Sequence, residues 1–180
     1  MAPTVILIGF MGSGKTAVGE CLAERLGWGF IDADREVERN LGMSIPEAFR
    51  SKGENFFRGV EEDVVSRILE KAAASTEGMV VSLGGGAVTS SGTRERLKRE
   101  QLVMLLDEDV ETAFQRAGGG GRPLAAELER FRTLYEERAG VYREAAGMII
   151  DTRGKRIKAV AQEAEAMVRE KIGEEGTAGA

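Results

Sequence analysis

The chain has 180 residues, of which 42% are hydrophobic and 31% charged, a composition that predicts one globular domain. A formal net charge of −5 argues against a broad nucleic-acid-binding surface. Histidine is absent and cysteine occurs once, which excludes a histidine base, a Cys/His zinc site and an intrachain disulfide. The sequence shows no charged-then-apolar leader and no apolar run of ~18 residues, so we expect a cytoplasmic protein without a membrane partner.

Short apolar runs alternate with segments of helical periodicity along the whole chain. The predicted strands are residues 4–8, 29–32, 79–83, 102–106 and 148–150. The predicted helices are residues 15–26, 35–41, 46–52, 54–74, 90–100, 110–117, 127–146 and 157–172. This alternation predicts a parallel sheet covered on both faces, in one domain of residues 1–172, with 173–180 as a disordered tail.

The stretch between the first strand and the first helix, residues 9–16 (GFMGSGKT), fits the phosphate-binding pattern G-x-x-x-x-G-K-[ST]. Its glycines let the backbone wrap closely round a polyphosphate, and the following helix directs its positive dipole end to the same place. Lys15 is suited to the β- and γ-phosphates, and the Thr16 hydroxyl to Mg²⁺. The motif therefore predicts ATP or GTP as ligand; a plain glycine turn is the alternative.

Polar or glycine-rich residues also follow the second and third predicted strands. If the chain is still extended there, Asp32 and Asp34 lie on the same side, one suited to metal binding and the other to orienting an acceptor hydroxyl. The alternative is that one of them caps the next helix. Gly84, Gly85 and Gly86 indicate close approach to a small ligand or a simple strand break. In a parallel sheet these strand ends meet at one edge.

Four arginines are candidates for anion contacts: Arg58, Arg116, Arg122 and Arg138. Arg122 follows four glycines in a loop that is predicted to be a mobile lid, about 116–126, able to close over the γ-phosphate. Arg58 and Arg138 lie on predicted helices beside apolar residues, which suits a two-pronged grip on a carboxylate. For each arginine, a surface salt bridge is the alternative.

Taken together, the motifs GFMGSGKT, FIDAD, FFRGVEE, SLGGGAV, GRPL and RAGVY resemble those of the shikimate kinases, in order and at similar spacing. The resemblance extends from Val5 to about Arg156. It implies a three-layer α/β/α fold of the P-loop, nucleoside-monophosphate-kinase type, with a five-stranded parallel sheet and a mobile lid. It also implies transfer of the ATP γ-phosphate to the 3-hydroxyl of shikimate, in chorismate and aromatic amino-acid biosynthesis.

The resemblance assigns roles residue by residue. The implied catalytic residues are Lys15, Asp34 and Arg122, with Asp34 the candidate base for the 3-hydroxyl. The implied ATP contacts are Gly12, Ser13, Gly14, Lys15, Thr16, Ala17, Arg116, Arg122 and Lys155. The implied shikimate contacts, partly on helices at about 33–61, are Asp34, Arg58, Glu61, Gly84, Gly85, Gly86 and Arg138. One Mg²⁺ is implied, held by Thr16 and, through water, by Asp32.

Ala17 departs from the family, since many members carry Ser or Thr there, and the lid is richer in glycine than expected. We expect a monomer. Two alternatives remain at this stage: another small-molecule P-loop kinase, such as a gluconate kinase, and a nucleotide-binding module without catalysis. The first needs no carboxylate grip by Arg58 and Arg138, and the second needs no acceptor-orienting acid such as Asp34.

Overall fold

The structure is a computed structural model that describes residues 2–100, 102–118 and 125–178. Its strands are β1 (Thr4–Ile8), β2 (Gly29–Asp32), β3 (Met79–Ser82), β4 (Leu102–Asp107) and β5 (Met148–Asp151). Its α-helices are α1 (Lys15–Leu26), α2 (Ala33–Leu41), α3 (Ile45–Lys52), α4 (Glu54–Ala73), α5 (Ser91–Leu97), α6 (Val110–Ala117), α7 (Ala125–Ala145) and α8 (Ile157–Ala178). A short 3₁₀ helix, Ala87–Thr89, precedes α5 and was not predicted from the sequence.

The five strands form one parallel sheet in the order β2-β3-β1-β4-β5, which confirms the predicted sheet. β1 lies at the centre, with Ile6 opposite Val81 of β3 and Val103 of β4. Because all strands run the same way, their carboxyl ends meet along one edge. The phosphate-binding sequence, the Asp32–Asp34 region and the three glycines after β3 all follow strands at that edge.

Two hydrophobic cores cover the two faces of the sheet. Alternate residues of β1 divide between them, because successive side chains of a strand point to opposite faces. Ile6 and Ile8 pack with the core formed by α2, α3, α4, α5 and α7, whereas Val5 and Leu7 pack with α1 and α8. A central strand buried on both sides explains why β1 is a continuous apolar run. Within the described ranges, no helix combines the length and apolarity that a bilayer crossing requires.

The structure corrects two expectations about the chain. The extended backbone ends at Asp32 and α2 begins at Ala33, two residues before its predicted start, so Asp34 lies in the first helical turn and the chain is not extended between the two acids. α8 continues through Ala178, beyond the predicted end of the last helix at residue 172. Residues 179 and 180 lie outside the described residues.

Candidate active site

The loop between β1 and α1 has the backbone shape that its glycines allow. Gly9, Gly12 and Gly14 have φ values of +148°, +80° and +91°, which residues other than glycine rarely adopt. A Cβ on Gly12 would lie 2.0 Å from the carbonyl oxygen of Ala113 on α6, so the loop also packs tightly against that helix. No side chain in the described chain caps the N-terminus of α1, and its first-turn N–H groups are available to an anion.

Lys15 and Ser13 are buried polar residues inside this loop. The Lys15 ammonium donates to the carbonyl oxygens of Gly9 and Phe10 at 2.8 and 3.0 Å. Burial lowers the pKa of Lys15 from 10.5 to about 8, although the negative charges of Asp34 and Asp32 act to raise it. The Ser13 hydroxyl oxygen is buried and has no hydrogen-bond partner among the described residues. Both observations fit a site that is completed by an anionic ligand.

Asp32 accepts two hydrogen bonds, one that caps α2 and one from the phosphate loop. One carboxylate oxygen accepts from the backbone N–H of Arg35 at 3.2 Å and so caps α2. The other accepts from the Thr16 hydroxyl at 2.6 Å, which connects the end of β2 to the start of α1. A hydroxyl and a buried carboxylate at the N-terminus of α1 are oxygen ligands of the kind that Mg²⁺ prefers.

Asp34 lies between the phosphate loop and a second pocket. A Cβ on Gly84 would be 2.4 Å from Asp34 Oδ1 and 2.8 Å from Glu61 Oε1, so both carboxylates lie against this glycine. Burial raises the pKa of Asp34; Lys15 and Arg58 oppose this, whereas the carboxylates of Asp32 and Glu38 add to it. The pKa of Asp34 therefore depends both on the phosphate loop, through Lys15, and on the second pocket, through Arg58.

The second pocket, here called the arginine cavity, has a volume of about 420 Å³ and is lined in part by Asp34, Arg58, Glu61, Gly85, Gly86 and Arg138. The guanidinium of Arg58 donates to Glu61 at 2.6 Å and to Glu54 at 3.2 Å, and it lies 5.7 and 5.2 Å from the ring centres of Phe49 and Phe57. These contacts hold the guanidinium in one place at the wall of the cavity.

Glu61 is the buried partner of Arg58, with 4% of its surface exposed. Burial raises the pKa of the Glu61 carboxyl, which Asp34 also favours, while Arg58 and Arg138 oppose the rise. Arg58 and Arg138 therefore lie close enough to the same carboxylate to affect it. The cavity thus holds two cationic side chains and three acids, the third being Glu54, and this arrangement suits a small ligand that carries a carboxylate and hydroxyl groups.

Arg116 is in the last turn of α6, with its guanidinium close to the position that a Cβ on Gly14 would take, at 3.9 Å. The Arg116 guanidinium donates to the carboxylate of Glu108 at 2.7 Å, and the Glu108 side chain is 2% exposed. Sequence reasoning missed Glu108. Because this residue directly follows β4, the rule that ligands bind at strand ends would have pointed to it.

The remaining residues that were predicted to bind the nucleotide differ in where they lie. Ala17 lies in the first turn of α1, the helix whose N-cap is Gly14. Lys155 follows β5, and its ammonium donates to Glu163 on α8 at 2.6 Å rather than to the phosphate loop. Arg122, and residues 119–124 of the predicted lid, lie outside the described residues.

A sequence profile of the shikimate kinase family matches residues 11–169, which is most of the chain. The chain belongs to the shikimate kinase family. The family's member from Symbiobacterium thermophilum is 41% identical over 181 residues, and the match covers 97% of this chain and 99% of that protein. The shikimate kinase of Mycobacterium avium is 43% identical over 155 residues, covering 84% of this chain and 85% of that protein. The predicted resemblance is therefore confirmed.

Solved structures agree with membership of the shikimate kinase family. The shikimate kinase of Acinetobacter baumannii in complex with shikimate superimposes with a TM-score of 0.84 at 34% identity, covering 94% of each chain. A gluconokinase from Sinorhizobium meliloti superimposes with a TM-score of 0.60 at 20% identity, a likeness that shows a common fold and no more. The superposition on the Acinetobacter baumannii shikimate kinase confirms the predicted P-loop fold of the nucleoside-monophosphate-kinase type.

Proposed function

We propose that this member of the shikimate kinase family transfers the γ-phosphate of ATP to the 3-hydroxyl of shikimate. The observation that carries the proposal is the position of Asp34, which interacts with Lys15 of the phosphate loop on one side and lines the arginine cavity on the other. An acceptor hydroxyl beside Asp34 would therefore lie next to the phosphate donor. Phosphoryl transfer depends mainly on such positioning and on charge stabilisation.

At the acceptor end, Arg58 and Arg138 bind the carboxylate of shikimate. The Glu61 and Glu54 contacts orient the Arg58 guanidinium before the substrate arrives, which lowers the entropy lost on binding. Gly84, Gly85 and Gly86 leave room for the ligand, because a side chain on Gly84 or Gly86 would fill space that Asp34, Glu61 and Arg58 occupy. Asp34 accepts a hydrogen bond from the attacking hydroxyl.

At the donor end, the phosphates of ATP lie on the loop backbone and the start of α1, within reach of Ser13 and Lys15. The Lys15 ammonium exchanges the carbonyl oxygens of Gly9 and Phe10 for phosphate oxygens. Phosphate charge close to Lys15 then favours its protonated form and offsets the lowering of its pKa by burial. Arg116, held by Glu108, and Lys155 flank the nucleotide, and Arg122 is the proposed lid arginine over the phosphates.

The residues that fit a single Mg²⁺ are Thr16 and Asp32. Their oxygen atoms are of the right type, and the 2.6 Å hydrogen bond between them shows that Asp32 acts on the Thr16 hydroxyl directly. The described chain has no cluster of three or more potential metal-binding acids, His or Cys, which suits an ion bound mainly by phosphate and water. When bound, the ion neutralises charge on the β- and γ-phosphates. Asp32 orients the Thr16 hydroxyl and the water molecules through which it would hold the ion.

Both substrate regions are built from one chain, which supports a monomeric enzyme. Light scattering on the purified protein tests this: a mass near 19.4 kDa is expected, and a stable dimer would contradict it.

The proposed activity is tested by measuring ADP release with Mg²⁺-ATP and a panel of acceptors: shikimate, gluconate and nucleoside monophosphates. We expect shikimate to accelerate ADP release, because the arginine cavity offers two guanidinium groups to a carboxylate beside Asp34. We expect no acceleration by gluconate or nucleoside monophosphates, because the chain belongs to the shikimate kinase family. The variant Arg58→Ala in the same panel shows whether acceleration depends on the cavity. Acceleration by gluconate or a nucleoside monophosphate, but not by shikimate, would overturn the proposal.

A further inference from the structure

Tyr142 connects α7 to the glycine turn that follows β3. It lies one helical turn after Arg138, and only 3% of its surface is exposed. Its hydroxyl donates to the carbonyl oxygen of Gly85. Its ring lies edge-on to Phe10 of the phosphate loop, with 6.4 Å between the ring centres. One side chain therefore contacts the turn and the phosphate loop, and it shares a helix with Arg138.

The carbonyl groups of the glycine turn are all occupied. The oxygen of Gly84 accepts from the N–H of Ala87 at 3.1 Å, and that of Gly86 accepts from the N–H and the hydroxyl of Thr89 at 3.0 and 2.7 Å. The Gly85 oxygen is outside this local network and has the Tyr142 hydroxyl as donor instead. By contrast, the N–H groups of Gly85 and Gly86 have no hydrogen-bond acceptor in the described part of the protein.

The geometry of the peptide bond turns this contact into a directional constraint. In a planar trans peptide the C=O and the N–H point in opposite directions, and none of the described peptide bonds is cis. The Gly85 carbonyl and the Gly86 N–H belong to the same peptide group. Holding the carbonyl towards Tyr142 therefore directs the Gly86 N–H away from the Tyr142 hydroxyl. Gly86 lines the arginine cavity, beside the guanidinium of Arg58.

We propose that Tyr142 is a positioning residue, whose hydroxyl holds the peptide group between Gly85 and Gly86 so that the Gly86 N–H donates to an oxygen of the bound acceptor. The proposal rests on the proposed function, since the acceptor is shikimate. Burial raises the pKa of Tyr142 to about 12, although the charge of Arg138 and a hydrogen bond with its side chain oppose the rise, and the phenol is a donor at neutral pH. A glycine turn without this bond would be free to rotate its peptide and lose the donor.

The test compares two phenylalanine variants on the same helix, Tyr142→Phe and Tyr135→Phe. The chain has two tyrosines. Both pack edge-on against Phe10, but the Tyr135 hydroxyl donates to Asp107 and to the Glu108 carbonyl instead. Because one hydrogen bond to the substrate is weakened, Tyr142→Phe is expected to raise the KM for shikimate by about 3- to 10-fold. Its kcat and KM for ATP are expected to stay within about twofold, and Tyr135→Phe is expected to leave the KM for shikimate unchanged.

A second measurement does not depend on turnover. With ¹⁵N-glycine labelling, shikimate is expected to shift the amide resonance of Gly86 in the wild-type protein and to shift it much less in Tyr142→Phe. An unchanged KM for shikimate and an unchanged Gly86 response in Tyr142→Phe would overturn the positioning role. So would equal rises in the KM values for shikimate and ATP, which indicate a general structural effect. If the wild-type protein releases no ADP in response to shikimate, the proposed function itself fails. An active wild type with an unaffected Tyr142→Phe variant refutes only the positioning role of Tyr142.

Discussion

Replacing Gly84 by alanine would place one methyl group against two of the acids that line the arginine cavity, Asp34 and Glu61. The added Cβ would lie 2.4 Å from Asp34 Oδ1 and 2.8 Å from Glu61 Oε1, both well below ordinary contact at 3.4 Å or more. Gly84 does not have a positive φ, so its backbone accepts alanine without strain. The perturbation therefore acts on the two carboxylates and not on the turn.

The size of the effect follows from the distance that Asp34 must move. To reach ordinary contact, its carboxylate has to retreat by roughly 1 Å, and a displacement of that size at a reacting group costs about 10²-fold in rate. We therefore expect kcat of Gly84→Ala to fall by about 100-fold, with a higher KM for shikimate. Affinity for ATP should stay within about twofold, because the three atoms nearest to a Cβ on Gly84 belong to Asp34 and Glu61 and none of them to the phosphate loop.

The assay is ADP release at saturating ATP and shikimate, with the thermal midpoint followed by circular dichroism. The matched control is Gly59→Ala, which adds the same methyl group on α4 between Arg58 and Glu61, where it meets nothing within 4 Å. The control should keep wild-type activity and gain about 0.5–1 kcal/mol of stability from higher helix propensity. A folded Gly84→Ala protein with kcat within about threefold of wild type would refute the placement of Asp34 at the reacting hydroxyl.

Three further changes test separate parts of the site. Arg58→Ala should raise the KM for shikimate by at least ~10-fold while the KM for ATP stays within about threefold. The control is Arg67→Ala, on the same helix but outside the cavity. Equal changes in both KM values of Arg58→Ala would contradict its contact with the carboxylate. Asp34→Asn should lower kcat by ~10²-fold or more, and a near-normal rate would remove Asp34 from the reaction. Because burial lowers the pKa of Lys15 to about 8, its charge is lost as pH rises through that value, so kcat/KM for ATP should fall above pH 8. Lys15→Arg should show no such fall, since a guanidinium does not titrate there, and a flat wild-type profile would argue against the requirement for the Lys15 charge.

The sequence predicts the sheet well because each strand is a short apolar run and each turn at its carboxyl end contains glycine or aspartate. β1 and β2 begin and end as predicted, and the helix that starts at Lys15 does so as well. The error at Asp34 has a physical cause. Asp32 is both the last residue of β2 and the cap of α2, so no extended residue separates the strand from the helix. Spacing along a strand then no longer describes the pair of acids.

The candidate site is only partly visible in the sequence, since its residues are brought together by packing across elements. The phosphate loop is local and can be identified from its motif. The Glu108 to Arg116 pair and the Tyr142 to Gly85 bond depend on how α6 and α7 lie against the strand ends, which no local pattern reports. Glu61 is indicated in the sequence only by the family motif FFRGVEE. Its burial beside Gly84, which explains why that position lacks a side chain, depends on packing across elements.

The most direct test of the account is to identify the product. Incubation of the protein with Mg²⁺-ATP and shikimate, followed by ³¹P NMR, should show a new phosphate-ester signal that grows in step with ADP. Coupling of that phosphorus to the proton at carbon 3 should identify shikimate 3-phosphate. Formation of ADP with inorganic phosphate alone, or a phosphate ester at another hydroxyl, would contradict transfer to the hydroxyl that Asp34 is proposed to orient.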